Sequence, residues 1–237
     1  TTTIATSVPA TSTSGRITVS TPAGTAVSTN DFFVPPSPYT VADVANTGRM
    51  AYGETKNVSF PAANKIGLVV FDAVAGQRAS LIVSSSTITS TVMTLLSPTG
   101  VALGTTTVNT SGGFLEPPIL TTTGTYTILI DPNSTYTGNL TFTLHNATDS
   151  NGTITIGGPG VNVNITAPGQ NAKLTFSGNA GQRVSVGLSN MTLATGYCCD
   201  MGSVSILKAD GSTLLAPFNF NNGGAGTPGS VLPANGT

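Results

Sequence analysis

Apolar residues in this chain come in short runs that alternate with threonine, serine or asparagine, and most runs are closed by glycine, proline, asparagine or aspartate. In YTILI (126–130) the apolar face is Tyr126, Ile128 and Ile130; in LTFTL (140–144) it is Leu140, Phe142 and Leu144. That period of two is the mark of a strand buried on one face. Turn tetrapeptides separate the runs: SPTG (97–100), DPNS (131–134) and KADG (208–211). No 3.6-residue periodicity lasts more than a turn or two. Strands of this length, with turn signals about 8–12 residues apart, predict an all-β chain of tandem antiparallel β-sandwich repeats, jelly-roll or Ig-like.

The pattern repeats. VVFDAVAGQRASLIV (69–83) aligns with LTFSGNAGQRVSVGL (174–188), placing Phe71 over Phe176 and the first AGQR (75–78) about 105 residues before the second (180–183). LLSPTGVAL (95–103) aligns with ILKADGSTL (206–214) at an offset of about 111, which implies a short insertion in the second copy. ILTTTGT (119–125) aligns with VLPANGT (231–237) at about 112.

Four segments are expected. Residues 1–34, with strand-like runs at 17–20, 24–28 and 32–34, match neither copy and read as the C-terminal strands of a preceding domain. Residues 35–43 form a proline-rich linker opening on PPSP, 44–148 the first sandwich, and 149–237 the second. The second copy stops before any counterpart of 126–130 and 140–144, so it is expected to be truncated before its last two strands. The first core is expected from Phe71, Leu81, Val83, Leu95, Ile128 and Ile130, and the second from Phe176, Val184, Val186, Leu188 and Ile206.

Charge narrows the function classes. Charged residues make up 7% of the chain, against roughly a quarter in ordinary globular domains, and the net charge is −1. The few cations are scattered singly, which gives no footprint for a phosphate backbone or an anionic bilayer, so neither nucleic acid nor membrane insertion is expected. No apolar run nears the roughly 20 residues of a membrane span. The threonine-, serine- and asparagine-rich, lysine-poor repeat composition points to an extracellular or cell-surface location.

Candidate chemistry is sparse. His145 is the sole histidine, so a His-pair metal site is excluded, and a Ser-His-Asp triad would have to use His145, in a chain without a Gly-x-Ser-x-Gly elbow. The acids Asp31, Asp43, Glu54, Asp72, Glu116, Asp131, Asp149, Asp200 and Asp210 are dispersed and read as turn and capping residues; a calcium site at Asp131-Pro132-Asn133 is the only metal hypothesis they raise. Arg78 and Arg183, which close the two AGQR motifs, are read as structural cations bonding carbonyls or a carboxylate. The adjacent Cys198 and Cys199 have Cα atoms about 3.8 Å apart, closer than a disulfide prefers. They are either two thiols or, if oxidised, a rigid ring beside Tyr197. The sequons at Asn133, Asn139, Asn146 and Asn190 are no more than this composition supplies by chance. No catalytic, cofactor-binding or metal-binding residue is assigned, and no cofactor is expected.

SGRITVSTPAGTAVSTNDFFV (14–34) resembles the last strands of IPT/TIG domains, immunoglobulin-like modules of bacterial surface proteins. Residues 45–237, with their AGQR turns, P-x-G or D-G turns and GTYTILID (124–131), resemble the pre-peptidase-C-terminal-like β-sandwich repeats found in large RHS/YD-repeat and other surface proteins. The resemblance implies a non-enzymatic stalk, spacer or adhesive module whose partners are neighbouring domains of its own polypeptide and cell-surface glycans or proteins. A carbohydrate-binding module is the alternative; with no tryptophan, it would have to use Tyr39, Tyr136 or Tyr197 as its stacking platform.

Overall fold

The computed structural model describes residues 3–116, 119–192, 202–220 and 224–236. It divides into unit 1, residues 1–150 with 165–171, and unit 2, residues 151–164 with 172–237. The described residues contain no α-helix, and the protein is all-β.

Unit 1 opens with a hairpin of β1 (Gly15–Thr21) and β2 (Gly24–Phe32). Nine strands follow: β3 (Val44–Arg49), β4 (Thr55–Phe60), β5 (Ile66–Ala73), β6 (Ala79–Ser86), β7 (Thr91–Leu96), β8 (Ala102–Val108), β9 (Gly113–Leu115), β10 (Gly124–Pro132) and β11 (Gly138–Asn146). They form a sandwich of a five-stranded sheet, ordered β3-β5-β10-β7-β8, and a four-stranded sheet, ordered β4-β11-β6-β9. All the pairings are antiparallel except β3 with β5. The exception to the expected antiparallel pattern has a topological cause: β4 lies between β3 and β5 in sequence and crosses to the opposite sheet, so β5 returns in the direction of β3.

Alternation builds the core. Tyr126, Ile128 and Ile130 of β10 face Leu140, Phe142 and Leu144 of β11, all at most 1% exposed, together with Phe60, Phe71, Leu81, Val83, Met93 and Leu95. Every residue expected in the first core is there. The Tyr126 ring stacks on Phe71 at 5.6 Å, and its hydroxyl donates to the Thr122 carbonyl at 2.6 Å, which satisfies its one polar atom. Strand β5 is buried on both faces from Ile66 to Phe71, so its sequence IGLVVF does not alternate.

Unit 2 holds β12 (Ser150–Thr153) from its second residue on, β13 (Ala172–Thr175), β14 (Arg183–Val184), β15 (Gly187–Leu188), β16 (Gly202–Leu207), β17 (Thr213–Phe220), β18 (Ala225–Gly226) and β19 (Ser230–Val231). They pair two by two, as β12-β13, β14-β19, β15-β18 and β16-β17. Its buried cluster is Val184, Ile206 and Leu232, with Phe176, Val186, Leu214 and Leu215 half-buried against it. Leu188, expected in this core, is half-buried outside the cluster.

The local geometry of copy one recurs in unit 2. Gly76 N–H donates to the Leu120 carbonyl at 2.8 Å and Gly181 N–H to Leu232 at 2.9 Å; the Gln77 and Gln182 side chains accept from Val74 and Asn179 N–H at 2.8 and 3.1 Å. The SPTG and KADG turns close with Gly100 N–H to Ser97 and Gly211 N–H to Lys208, both at 2.9 Å, with glycine φ of 80° and 82°. At Gly112 and Gly224, φ is 89° and 87°, and a Cβ would stand 2.4 Å from the Val83 carbonyl oxygen and 2.8 Å from that of Leu188. Only glycine fits both positions.

Residues 165–171 belong to unit 1, as does the hairpin at 15–32. Hydrogen bonds supply the reason. Ser80 hydroxyl donates to the Pro168 carbonyl at 2.6 Å, Gln170 amide to the Thr148 carbonyl at 2.9 Å, and Thr13 hydroxyl to the Pro98 carbonyl at 2.8 Å.

Candidate functional site

The AGQR turn delivers Arg78 to the edge of β6, where its side chain is 12% exposed. One guanidinium nitrogen donates to Asp149 at 2.6 Å and to the Gly169 carbonyl at 3.2 Å, and another to Glu116. Asp149 also accepts from Asn171 N–H at 3.1 Å. A planar fork gripping two carboxylates and a carbonyl is the structural use expected of this residue. Its partners lie far along the chain, and no local signal names them. Arg183 is exposed, and among the described residues it makes no ion pair.

The other described acids are also engaged. Arg49 binds Asp31 at 2.6 Å and Asp72 at 2.5 Å. Burial pushes the Asp72 carboxyl up, but bonds from Arg49 and Thr125 outweigh it and hold the carboxyl below its ordinary range. Asp43 and Asp210 are held low by bonds from Thr40 and Ser212, and Glu54 accepts from Ala51 N–H at 2.9 Å. Asp131 accepts from the Tyr39 hydroxyl at 2.6 Å. Asn133, the third residue of the calcium hypothesis, donates from its amide to Ser90 Oγ at 2.6 Å.

His145 lies on β11 opposite Ser80, whose hydroxyl is committed to Pro168. Among the described residues no three His, Cys, Asp or Glu side chains come together as a metal site. Cys198, Cys199, Tyr197 and Asp200 lie outside the described residues.

An open cleft of about 370 Å³ in unit 1 is lined by Tyr52, Asp72, Ala73, Val74, Gln77, Thr123 and Gly124. Its polar groups are mostly spent on the fold: Gln77 on Val74, Thr123 on Ala75 N–H at 3.0 Å, and Asp72 on Arg49 and Thr125. The Tyr52 hydroxyl is buried without a hydrogen-bond partner. Nothing in the local sequence marks it, since its burial comes from Phe71, whose ring meets it edge-on at 5.7 Å.

Two tyrosines should ionise late. The bond to Asp131, then burial, pushes Tyr39 up to about 12, and burial pushes Tyr52 to the same value. The folded protein holds these protons above the ordinary tyrosine value of about 10, so their contribution to stability is whole below pH 10 and is lost as pH rises through 12. An ultraviolet titration should show a phenolate step near pH 12, and Tyr39→Phe should shrink it. A titration completed by about pH 10.5 would contradict both environments.

No protein-family model matches the chain, and no curated protein does. Solved structures similar to it include a periplasmic inhibitor of g-type lysozyme from Aeromonas hydrophila, at 13% identity and a TM-score of 0.33, covering 43% of this chain and 99% of the inhibitor. They also include the pre-peptidase C-terminal domain of a collagenase from Bacillus anthracis, at 11% identity and a TM-score of 0.35, covering 41% of this chain and 93% of that domain. The class defined by the fold is a β-sandwich domain. Among the described residues no helix is long and apolar enough to cross a membrane.

Proposed function

We propose that this chain is a non-catalytic repeat module of a large secreted or cell-surface bacterial protein, holding neighbouring domains apart or contributing to adhesion. The observation that carries the reading is the recurrence of one set of strands and turns at an offset of about 105–112 residues, with the described acids spent on turns and clamps. A repeat of that kind extends a polypeptide by adding similar units. The hairpin at 15–32 is read as the end of an IPT/TIG-type domain. The partners are the adjoining domains of the same polypeptide and cell-surface glycans or proteins; the module has no cofactor, does not bind nucleic acid and does not insert into a membrane.

One observation favours a carbohydrate-binding alternative: Tyr136 is 41% exposed in the loop after β10, the strand whose Asp131 holds Tyr39. A glycan array on the full chain, run beside a screen of peptide, ester and glycoside hydrolysis, separates the readings. A spacer gives neither hits nor turnover. Hits lost on Tyr136→Ala would favour the sugar module, and hydrolysis lost on His145→Ala would overturn both.

A further inference from the structure

Repetition separates what the fold needs from what it does not. At the turn that carries Tyr52, Met50 N–H donates to the Val70 carbonyl at 2.9 Å, Glu54 N–H to Ala51 at 3.1 Å, and Gly53 has φ of 85°. Unit 2 repeats each feature: Ile154 N–H donates to Thr175 at 2.9 Å, Gly158 N–H to Thr155 at 3.0 Å, and Gly157 has φ of 71°. The counterpart of Tyr52 is therefore Ile156. Beside it, the bond from Ala75 N–H to the Thr123 hydroxyl at 3.0 Å recurs as Ala180 N–H to the Asn235 side chain at 2.7 Å. The AGQR alignment sets Asp72 over Ser177 and Val74 over Asn179. Both copies keep the framework of this place, yet only copy one puts a tyrosine hydroxyl, a carboxylate and an isopropyl group on it.

These additions line the open cleft of about 370 Å³, a volume within the roughly 300–1,000 Å³ of small-molecule sites. The Tyr52 hydroxyl is buried and unpaired, an arrangement that contributes nothing to the fold and is costly unless a further group bonds it. Gln77 spends its oxygen on Val74, and its amide nitrogen has no partner among the described residues. Thr123 accepts from Ala75, which leaves its own hydrogen free to donate. Asp72 holds one partner on each oxygen, Thr125 at 2.7 Å and Arg49 at 2.5 Å, and each oxygen keeps a lone pair. Val74 is 58% exposed and supplies an apolar wall. Charge is near balance, because Arg49 spans Asp31 and Asp72 and Arg16 adds a second cation near Asp72. A site with donors, an acceptor, an apolar wall and no net charge suits a neutral molecule dense in hydroxyls.

We propose that this cleft binds one neutral sugar unit of a surface glycan, with Tyr52, Gln77 and Thr123 donating to its oxygens, Asp72 accepting from its hydroxyls, and Val74 against a C–H face. A sugar hydroxyl both donates and accepts, so the mixed set is complementary to it. An anion would meet the Asp72 carboxylate, and an ammonium group would meet the donors of Gln77 and Thr123. An apolar solute would leave the Tyr52 hydroxyl unpaired. Sugar binding at this cleft rests on the adhesive reading of the function and gives that reading a site. The site is distinct from Tyr136: Thr123 precedes β10 and Tyr136 follows it, at opposite ends of a nine-residue strand roughly 30 Å long.

The probes are free glucose, galactose, mannose and N-acetylglucosamine, titrated into the full chain and followed by saturation-transfer NMR and amide hydrogen exchange. At least one should bind and slow exchange at 74–77 and 123–125. Tyr52→Phe, which keeps the ring and removes only the hydroxyl, should weaken that binding about tenfold, the worth of one hydrogen bond, and Gln77→Glu should weaken it similarly. Tyr136→Ala should leave it unchanged. A purely structural role for the hydroxyl has its own readout. With no partner in the fold to lose, Tyr52→Phe should leave the urea midpoint where it is or raise it. A midpoint lowered by Tyr52→Phe, or sugar binding that Tyr52→Phe does not change, overturns the proposal. Binding lost on Tyr136→Ala but kept in Tyr52→Phe overturns this site and leaves the adhesive reading standing. No binding to any of the four sugars overturns the proposal, and a blank glycan array removes the adhesive reading with it.

Discussion

Replacing Phe142 by alanine should lower the stability of unit 1 by about 3–5 kcal/mol, the cost of lost transfer free energy plus a cavity that rigid sheets close poorly. Phe142 is fully buried on β11, opposite Lys56 of β4 and Val83 of β6, so its ring packs where the four-stranded sheet meets the core. A domain of this kind holds about 5–15 kcal/mol in total, so the variant should stand near the edge of folding. The urea midpoint should fall steeply with an unchanged slope, the sign of lost stability rather than a changed denatured state. A loss under about 1 kcal/mol would mean that β11 is not the packed centre of its sheet. Thr143→Ala is the control: this half-buried neighbour shares a hydroxyl contact with Thr55 at 2.7 Å and should cost far less.

The same alternation explains what was legible in the sequence. A half-buried strand writes its buried face at every second residue, so the core of β10 and β11 could be read directly, as could the SPTG and KADG turns from their glycines. Internal repetition carried information of another kind. It identified AGQR as a structural turn before any hydrogen bond was known, and the paired bonds to Leu120 and Leu232 give its physical content. The parallel β3-β5 edge was not legible, because strand direction depends on which sheet β4 joins and no local pattern states that. Nor was the attachment of 165–171 to unit 1, which rests on Arg78 and Ser80 reaching segments about 90 residues away. Of the cleft at Tyr52, the AGQR glutamine and Asp72 stood out in sequence; the ring carrying the buried hydroxyl packs edge-on against Phe71.

Unfolding should proceed in two steps, with unit 2 first. Among the described residues, the continuous core of unit 1 contains 21 buried apolar side chains and the cluster in unit 2 contains three. Phe176, Val186, Leu214 and Leu215 are only half-buried, and each forfeits part of the about 1.5–3 kcal/mol that full burial of a large apolar side chain contributes. Backbone cooperativity is weak as well. The described strands of unit 2 pair only two by two, and an isolated two-stranded element is marginal in water. Cooperative opening should therefore start there, far below the free energy that unfolds the nine-stranded sandwich. The chain has no tryptophan, so Phe218→Trp on β17 gives a selective reporter of unit 2, while Tyr126 reports the core of unit 1. In a urea titration the tryptophan signal should change at a clearly lower concentration than the tyrosine signal and the far-ultraviolet strand signal of unit 1. One transition seen by every probe would show that the two units fold as a single cooperative body, with unit 2 drawing its stability from contacts beyond its own strands.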